Sequence, residues 1–274
     1  MRWTRSFAAS VFFAFVLLLM PGKAHAQFSA TPFSDPATGE KYHIEVAGEI
    51  WNPPLDLKVR SAQLGIGGTQ IDAATDLGLA QKRLSELRIV LRPAKKHKFR
   101  LNYLPMKYTG QSTVHRDFIF NGQTFGINLP LTTDFEWTTW HAVYEYDFLY
   151  QDKWFVGFTL NSNFTKTQVN IASQIVTEFA IAQAPIPTIG GIARVYVVPN
   201  ISITADINGI KIPDSLSDDY RAHYFDFDLY GTVNFNDYVG AQVGYRSIDV
   251  LYKFKQDEGT FKMKGLYFGG VLRY

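Results

Sequence analysis

Tyr224-Phe225-Asp226-Phe227-Asp228-Leu229-Tyr230-Gly231-Thr232-Val233 is the stretch on which the fold turns. Side chains of an extended strand point alternately to its two faces. Phe225, Phe227, Leu229 and Val233 therefore share one face, while Tyr224, Asp226, Asp228, Tyr230 and Thr232 share the other. Such a strand needs an apolar medium on one side and a polar one on the other. A soluble β-sandwich or lipocalin-like barrel meets that need with the apolar face inward. A membrane barrel meets it with the apolar face outward.

The same period-two pattern recurs along the chain and gives ten candidate strands. The first, 42–51, sets Tyr42, Ile44, Val46 and Ile50 against His43, Glu45 and Glu49. The second, 84–92, sets Leu87, Ile89 and Leu91 against Glu86, Arg88 and Arg92, and the third, 98–108, opposes Phe99, Leu101 and Tyr103 to Lys98, Arg100 and Asn102. Strands at 134–148 and from Lys153 follow, with Trp140, Tyr144, Tyr146, Trp154, Phe158 and Leu160 on their apolar faces. The rest run over 191–198, 201–209, 221–235, 238–251 and 260–274. The stretch 57–60, inside a long connection, is the best place for an additional strand, so eight and twelve are the alternatives to ten.

The connections alternate in length. Pro93–His97, Leu149–Asp152, Pro199-Asn200 and Asn236-Asp237 are short and rich in turn formers. The intervening junctions at 52–83, 109–133, 171–190, 210–220 and 252–259 are longer. Short turns at one end and long loops at the other fit a membrane barrel, and an even strand count puts both ends of the chain on the short-turn side. Aromatic residues near strand ends (Trp140, Tyr144, Tyr146, Trp154, Tyr245 and Tyr274) suit a girdle at the membrane–water boundary. The polar faces mix acids and bases nearly evenly, unlike a solvated outer surface. These features favour the membrane barrel over a soluble periplasmic ligand-binding β-protein.

Two further segments bear on location. Arg2 and Arg5, the apolar run Phe7–Met20 and Ala24-His25-Ala26 form the three parts of a secretory signal peptide, with cleavage expected after Ala26. The run is too short for a bilayer-crossing helix, which needs about 20 residues. At the other end stands Leu266-Tyr267-Phe268-Gly269-Gly270-Val271-Leu272-Arg273-Tyr274. Gly269, Leu272 and Tyr274 match the C-terminal assembly signal of Gram-negative outer-membrane β-barrels, although Tyr267 stands where a polar residue is usual. With its signal peptide, alternating strands and turn asymmetry, the chain resembles the small, functionally uncharacterised members of that class over residues 42–274.

The reading is thus an all-β fold, a transmembrane antiparallel up-and-down β-barrel of about ten strands. Residues 1–26 are expected to form a signal peptide, 27–41 an N-terminal periplasmic segment and 42–274 the barrel. The resemblance implies outer-membrane lipid, periplasmic chaperones and the barrel assembly machinery as partners, in a Gram-negative outer membrane. The absence of cysteine removes disulfides, thiol catalysis and thiolate metal sites. A net charge of +2 without a dominant basic cluster argues against nucleic acid. No cofactor or metal is expected.

Apolar faces turned to lipid leave the opposite faces to line the lumen. Glu86, Arg88, Arg100, His141, Glu145, Arg194, Asp226, Asp228 and Arg246 are the chief lumen-lining candidates, with Glu45, Glu49, Arg92, Lys98, Asp147, Asp206 and Arg273 beside them and His43 nearby. Open aqueous pores need about 16 strands, so ten strands predict a plugged or narrow barrel held by paired charges. The expected role is structural, or that of a narrow channel for small solutes, without catalytic residues. The alternative is a barrel enzyme acting on lipid or peptide. His141 with Thr139 or Glu145, and His223 with Asp226, supply its candidate general bases. Asn121-Gly122 predicts a tight hairpin that extends the wall outward, and Asp72 with Asp76 is read as a solvated turn rather than a Ca²⁺ site.

Overall fold

The computed structural model describes residues 37–60, 68–120, 122–173, 177–212, 220–254 and 257–274, apart from the side chains of 177–184, 220 and 254. The expected signal peptide lies outside them. In chain order β1 (Ile44–Trp51) is followed by a short pair, β2 (Asp56–Arg60) and β3 (Ile71–Asp72). Then come β4 (Leu84–Ala94), β5 (His97–Thr113) and a separate hairpin of β6 (Phe118–Phe120) and β7 (Gln123–Phe125). The chain continues through β8 (Pro130–Gln151), β9 (Trp154–Ser173), β10 (Thr177–Val198), β11 (Ile201–Lys211), β12 (Tyr220–Asn234), β13 (Val239–Phe254) and β14 (Asp257–Arg273).

Ten strands form the ring, each antiparallel to its neighbour in sequence order, and β14 closes on β1 from Glu45 opposite Arg273 to Trp51 opposite Tyr267. The Tyr274 amide adds a bond of 2.8 Å to the Ile44 carbonyl. The 57–60 stretch is a strand, as expected, but it stands outside the ring. Its Lys58 pairs with Thr260 on the upper part of β14.

The orientation is that of a membrane barrel. Phe225 and Leu229 are 43% and 42% exposed, while Asp226 between them is 3% exposed. Without a lipid phase such apolar surface would be unstable in water. Ile44, Ile50, Leu87, Leu91, Phe99, Leu101, Phe158, Leu160, Val243, Leu266 and Phe268 continue the same belt around the ring.

Several strands are much longer than a bilayer requires. A transmembrane β-strand needs about 9–11 residues, whereas β8 and β10 have 22 each and β9 has 20. Beyond the lipid-facing belt the polarity inverts while the alternation continues. On β5 the inward residues pass from Lys98, Arg100 and Asn102 to Leu104, Met106 and Tyr108, and the outward ones from Phe99 and Leu101 to Lys107, Thr109 and Gln111. On β8 the outward Tyr144 and Trp140 give way to Glu136 and Thr132, and the inward Glu145 and His141 to Trp137 and Phe135. The upper half is therefore a soluble barrel with a dry centre, standing on a membrane barrel with an ionic one.

Two connections fill that dry centre. Residues 52–83 contribute Leu57, Ile71, Ala73, Leu77 and Leu79, and the β6–β7 hairpin contributes Phe118, Phe120 and Phe125, all buried against Leu104, Met106, Phe135, Ile171 and Phe261 of the wall. Gly78 (φ +68°) and Gly110 let the first connection lie directly on β5: a Cβ at Gly110 would stand 2.5 Å from the Leu77 carbonyl oxygen.

Three expectations are corrected here. The hairpin expected within 109–133 pairs Phe118–Phe120 with Gln123–Phe125, Asn121 lying outside the described residues, but it plugs the centre instead of extending the wall, because its three phenylalanines need burial. The wall is extended by β5 and β8 themselves. The expected loop 171–190 is mostly strand, in register with β9 from Thr177 opposite Ala172 onward. Pro185 and Pro187 fit there because β10 pairs with β11 only from Ile189, leaving one edge with no ladder bond to lose. Finally, Tyr42 is buried and His43 exposed, the reverse of the alternation expected. Regular strand begins only at Ile44, and the chain before it bends into the barrel mouth.

Candidate functional site: the ionic lumen

The nine chief lumen candidates all point inward, because each lies on the same strand face as its buried neighbours. In the middle of the barrel, Arg246 on β13 holds Asp226 on β12 through two bonds, Nε to Oδ1 at 3.0 Å and Nη2 to Oδ2 at 2.7 Å. Its third nitrogen donates to Glu86 on β4, across the lumen. Asn102 donates to the other Glu86 oxygen at 3.1 Å. Such a fork engaging two carboxylates is a geometry only arginine provides. Arg88 pairs with Glu49 at 3.0 Å and donates to Gln242 at 2.6 Å. Tyr267 donates its hydroxyl to Asp228 at 2.9 Å, its ring lying over Gly244, where a Cβ would meet the ring at 2.5 Å.

A second cluster occupies the half nearer the short turns. Lys98 bridges Glu145 at 2.7 Å and Asp147 at 3.0 Å. Arg100 joins Asp206 at 2.6 Å to Glu145 at 3.3 Å. Arg273 donates to Glu45 and to Asn234, both at 2.7 Å, linking strands that close the ring. Buried charges are stable only when paired and hydrogen-bonded in this way.

Sequence reasoning missed the residue that seals this end. Glu40 precedes the first strand, so no periodicity marks it. Its carboxylate accepts from Arg194 at 2.7 Å and Tyr196 at 2.9 Å and pairs with Arg92 at 3.2 Å. The backbone on either side is tied down by Thr38 N to the Pro199 carbonyl at 2.7 Å and Gly39 N to Asp237 at 2.9 Å. Tyr42 lies between the Arg92 and Arg273 guanidiniums, 5.3 and 5.7 Å from its ring centre. Burial alone would raise the Glu40 carboxyl, but Arg194, Lys98 and Arg92 outweigh it and hold the group at about 2.

Between the two clusters remains a cavity of about 30 Å³, lined by Glu86, Arg100, His141, Asp226 and Arg246 among others. That is room for a water molecule or two. His141 stands in register with Asn102 and Asn163, its ring edge-on to Tyr224. His223 does not meet Asp226, which points to the opposite face. It pairs instead with Asp249 at 3.0 Å on the outer wall, where Lys262 holds the same carboxylate. Asp72 caps the turn that follows it and Asp76 pairs with Arg116 at 2.7 Å, as a solvated turn would.

Among the assembly-signal residues, Leu272 and Tyr274 face outward, Tyr274 being 84% exposed. Gly269 faces inward, where a Cβ would press on Glu49.

No protein-family model and no curated protein matches the chain. Solved structures do. The outer membrane protease OmpT from Escherichia coli superposes with a TM-score of 0.54 at 7% identity, covering 90% of this chain and 99% of that one. An outer membrane channel from Pseudomonas putida F1 gives 0.38 at 10% identity over 90% and 100% of the two chains. Ail, the attachment invasion locus protein of Yersinia pestis, gives 0.35 at 10% identity over 83% and 99%. At these identities the likeness to OmpT speaks for the fold alone.

Proposed function

We propose that this chain, whose fold is that of an outer-membrane β-barrel, serves as a sealed, non-enzymatic membrane barrel that presents a compact head beyond the outer leaflet of a Gram-negative outer membrane. One observation carries the reading: cross-strand ion pairs fill the middle of the lumen around a cavity of about 30 Å³. Glu40 and Tyr42 cover one end and the apolar plug fills the other. Of the two roles expected, structural barrel and narrow channel, the sealed lumen favours the first, since passage of a solute would require several buried pairs to part. Breaking one such pair costs about 3–5 kcal/mol.

The histidines do not favour a catalytic barrel. His141 is enclosed in the lumen, and the Asp249 that His223 meets is shared with Lys262. Export through a cleaved signal peptide and insertion by the assembly machinery, with periplasmic chaperones as escorts, belong to the same proposal. Planar-bilayer recording of the purified protein tests it. Silence is expected; reproducible conductance steps would overturn the sealed reading.

A further inference from the structure

The lumenal cations differ in where their counter-charges come from. Arg88, Lys98, Arg100, Arg246 and Arg273 all pair with carboxylates carried by strands of the barrel itself. Arg92 on β4 and Arg194 on β10 do not. Among the described residues their shared carboxylate is Glu40, which the chain supplies before the first strand begins. The two guanidiniums are also fixed without it. Arg194 donates to Thr204 at 2.8 Å and to the Tyr230 hydroxyl at 3.2 Å, and Arg92 to the Tyr150 hydroxyl at 2.9 Å and the Lys95 carbonyl at 3.0 Å. Donors held in place by their own wall contacts lose little freedom when a carboxylate arrives.

We propose that the short-turn mouth is a binding site for an acidic peptide of a partner protein, read as a glycine followed by a glutamate, and that Thr38-Gly39-Glu40 is its internal occupant. The wall recognises more than the carboxylate. Thr38 donates its amide to the Pro199 carbonyl at 2.7 Å, and Asn234 donates to the Thr38 carbonyl at 2.8 Å. Gly39 donates to Asp237 at 2.9 Å, and Arg92 donates to the Glu40 carbonyl as well as to its side chain. Groups on strands far apart in the sequence thus read both the backbone and the acid of one short segment. The glycine is required twice over. Gly39 has φ +83°, and a Cβ there would stand 2.8 Å from Arg273 Nη1 and 2.9 Å from Asn234 Cγ. The inference adds a partner to the sealed barrel and needs no passage through it. A tethered occupant competes at an effective concentration on the order of millimolar, so a free peptide binds well only once that occupant is weakened.

The test uses the folded mature protein in detergent and a fluorescent peptide with the sequence of residues 37–42, Ala37-Thr38-Gly39-Glu40-Lys41-Tyr42. Fluorescence anisotropy reads its binding. The Glu40→Gln protein, whose own segment is weakened, is expected to bind the peptide roughly tenfold or more tightly than the parent does. The same peptide with glutamine in place of its glutamate, or alanine in place of its glycine, should bind that protein about tenfold or more weakly, since charge-assisted bonds to two arginines or the fit at the glycine are lost. A second measurement leaves the site intact. With a single spin label at the exposed position Lys41→Cys, millimolar peptide should mobilise the label as it displaces the segment, and the glutamine peptide should not. Equal binding of the three peptides by the Glu40→Gln protein, or a label that millimolar peptide leaves unmoved, would overturn the proposal. The spin-label result decides alone where Glu40→Gln does not fold.

Discussion

Arg246 and Glu40 show how single residues hold this barrel together. Arg246 faces two carboxylates, Glu86 and Asp226, from the centre of the lumen. An Arg246→Met substitution leaves both without their cation and should destabilise the folded barrel by about 3–5 kcal/mol. Urea unfolding in lipid vesicles measures this, and replacing Glu86 and Asp226 by neutral residues in the same variant should recover much of the loss. Glu40 acts at the mouth. Its carboxyl is held at about 2 against an ordinary 4.5, so its contribution to docking of residues 37–42 is full above about pH 5 and fades as pH falls toward about 2. Protease cleavage near Thr38 should therefore rise on acidification, and Glu40→Gln should expose the segment at neutral pH. Unchanged cleavage in both cases would show that the latch lies elsewhere. Neither residue's partners were legible in the sequence. Arg246 meets Glu86 from 160 positions away, and Glu40 precedes any alternation that could assign it a face.

At the scale of the strand, the alternation itself was fully legible where one face was greasy and the other charged. Phe225, Asp226, Leu229 and Arg246 take the sides that period two assigns them. Legibility ended where both faces turned polar or small. Thr165-Lys166-Thr167-Gln168 on β9 and Ala182-Gln183-Ala184-Pro185 on β10 carry no contrast, so strand there reads as loop. The inverted upper half was hidden for a related reason: an apolar residue has the same pattern whether it faces lipid or a dry plug, and only neighbours from other strands decide which. Substitution separates the two zones. Leu229→Arg, on the lipid-facing part of β12, should cost about 2–4 kcal/mol. Thr132→Arg, on the outward face of β8 above the belt, should cost little. Equal costs at both positions would contradict the inversion of polarity along the strands.

For the whole molecule, the architecture stacks two barrels of opposite polarity on one set of strands. The lower one exchanges water for lipid outside and requires charge pairing inside; the upper one exchanges lipid for water outside and requires an apolar filling, supplied by residues 52–83 and the β6–β7 hairpin. The chain contains no cysteine, so a single introduced thiol carries a spin label at one defined place. With the label at Leu229→Cys and, separately, at Thr132→Cys in reconstituted vesicles, collision with dissolved oxygen and with a water-soluble nickel complex reports the medium at each position. Oxygen is expected to dominate at position 229 and nickel at position 132. Nickel dominating at both would place the Leu229 face in water and contradict the membrane barrel.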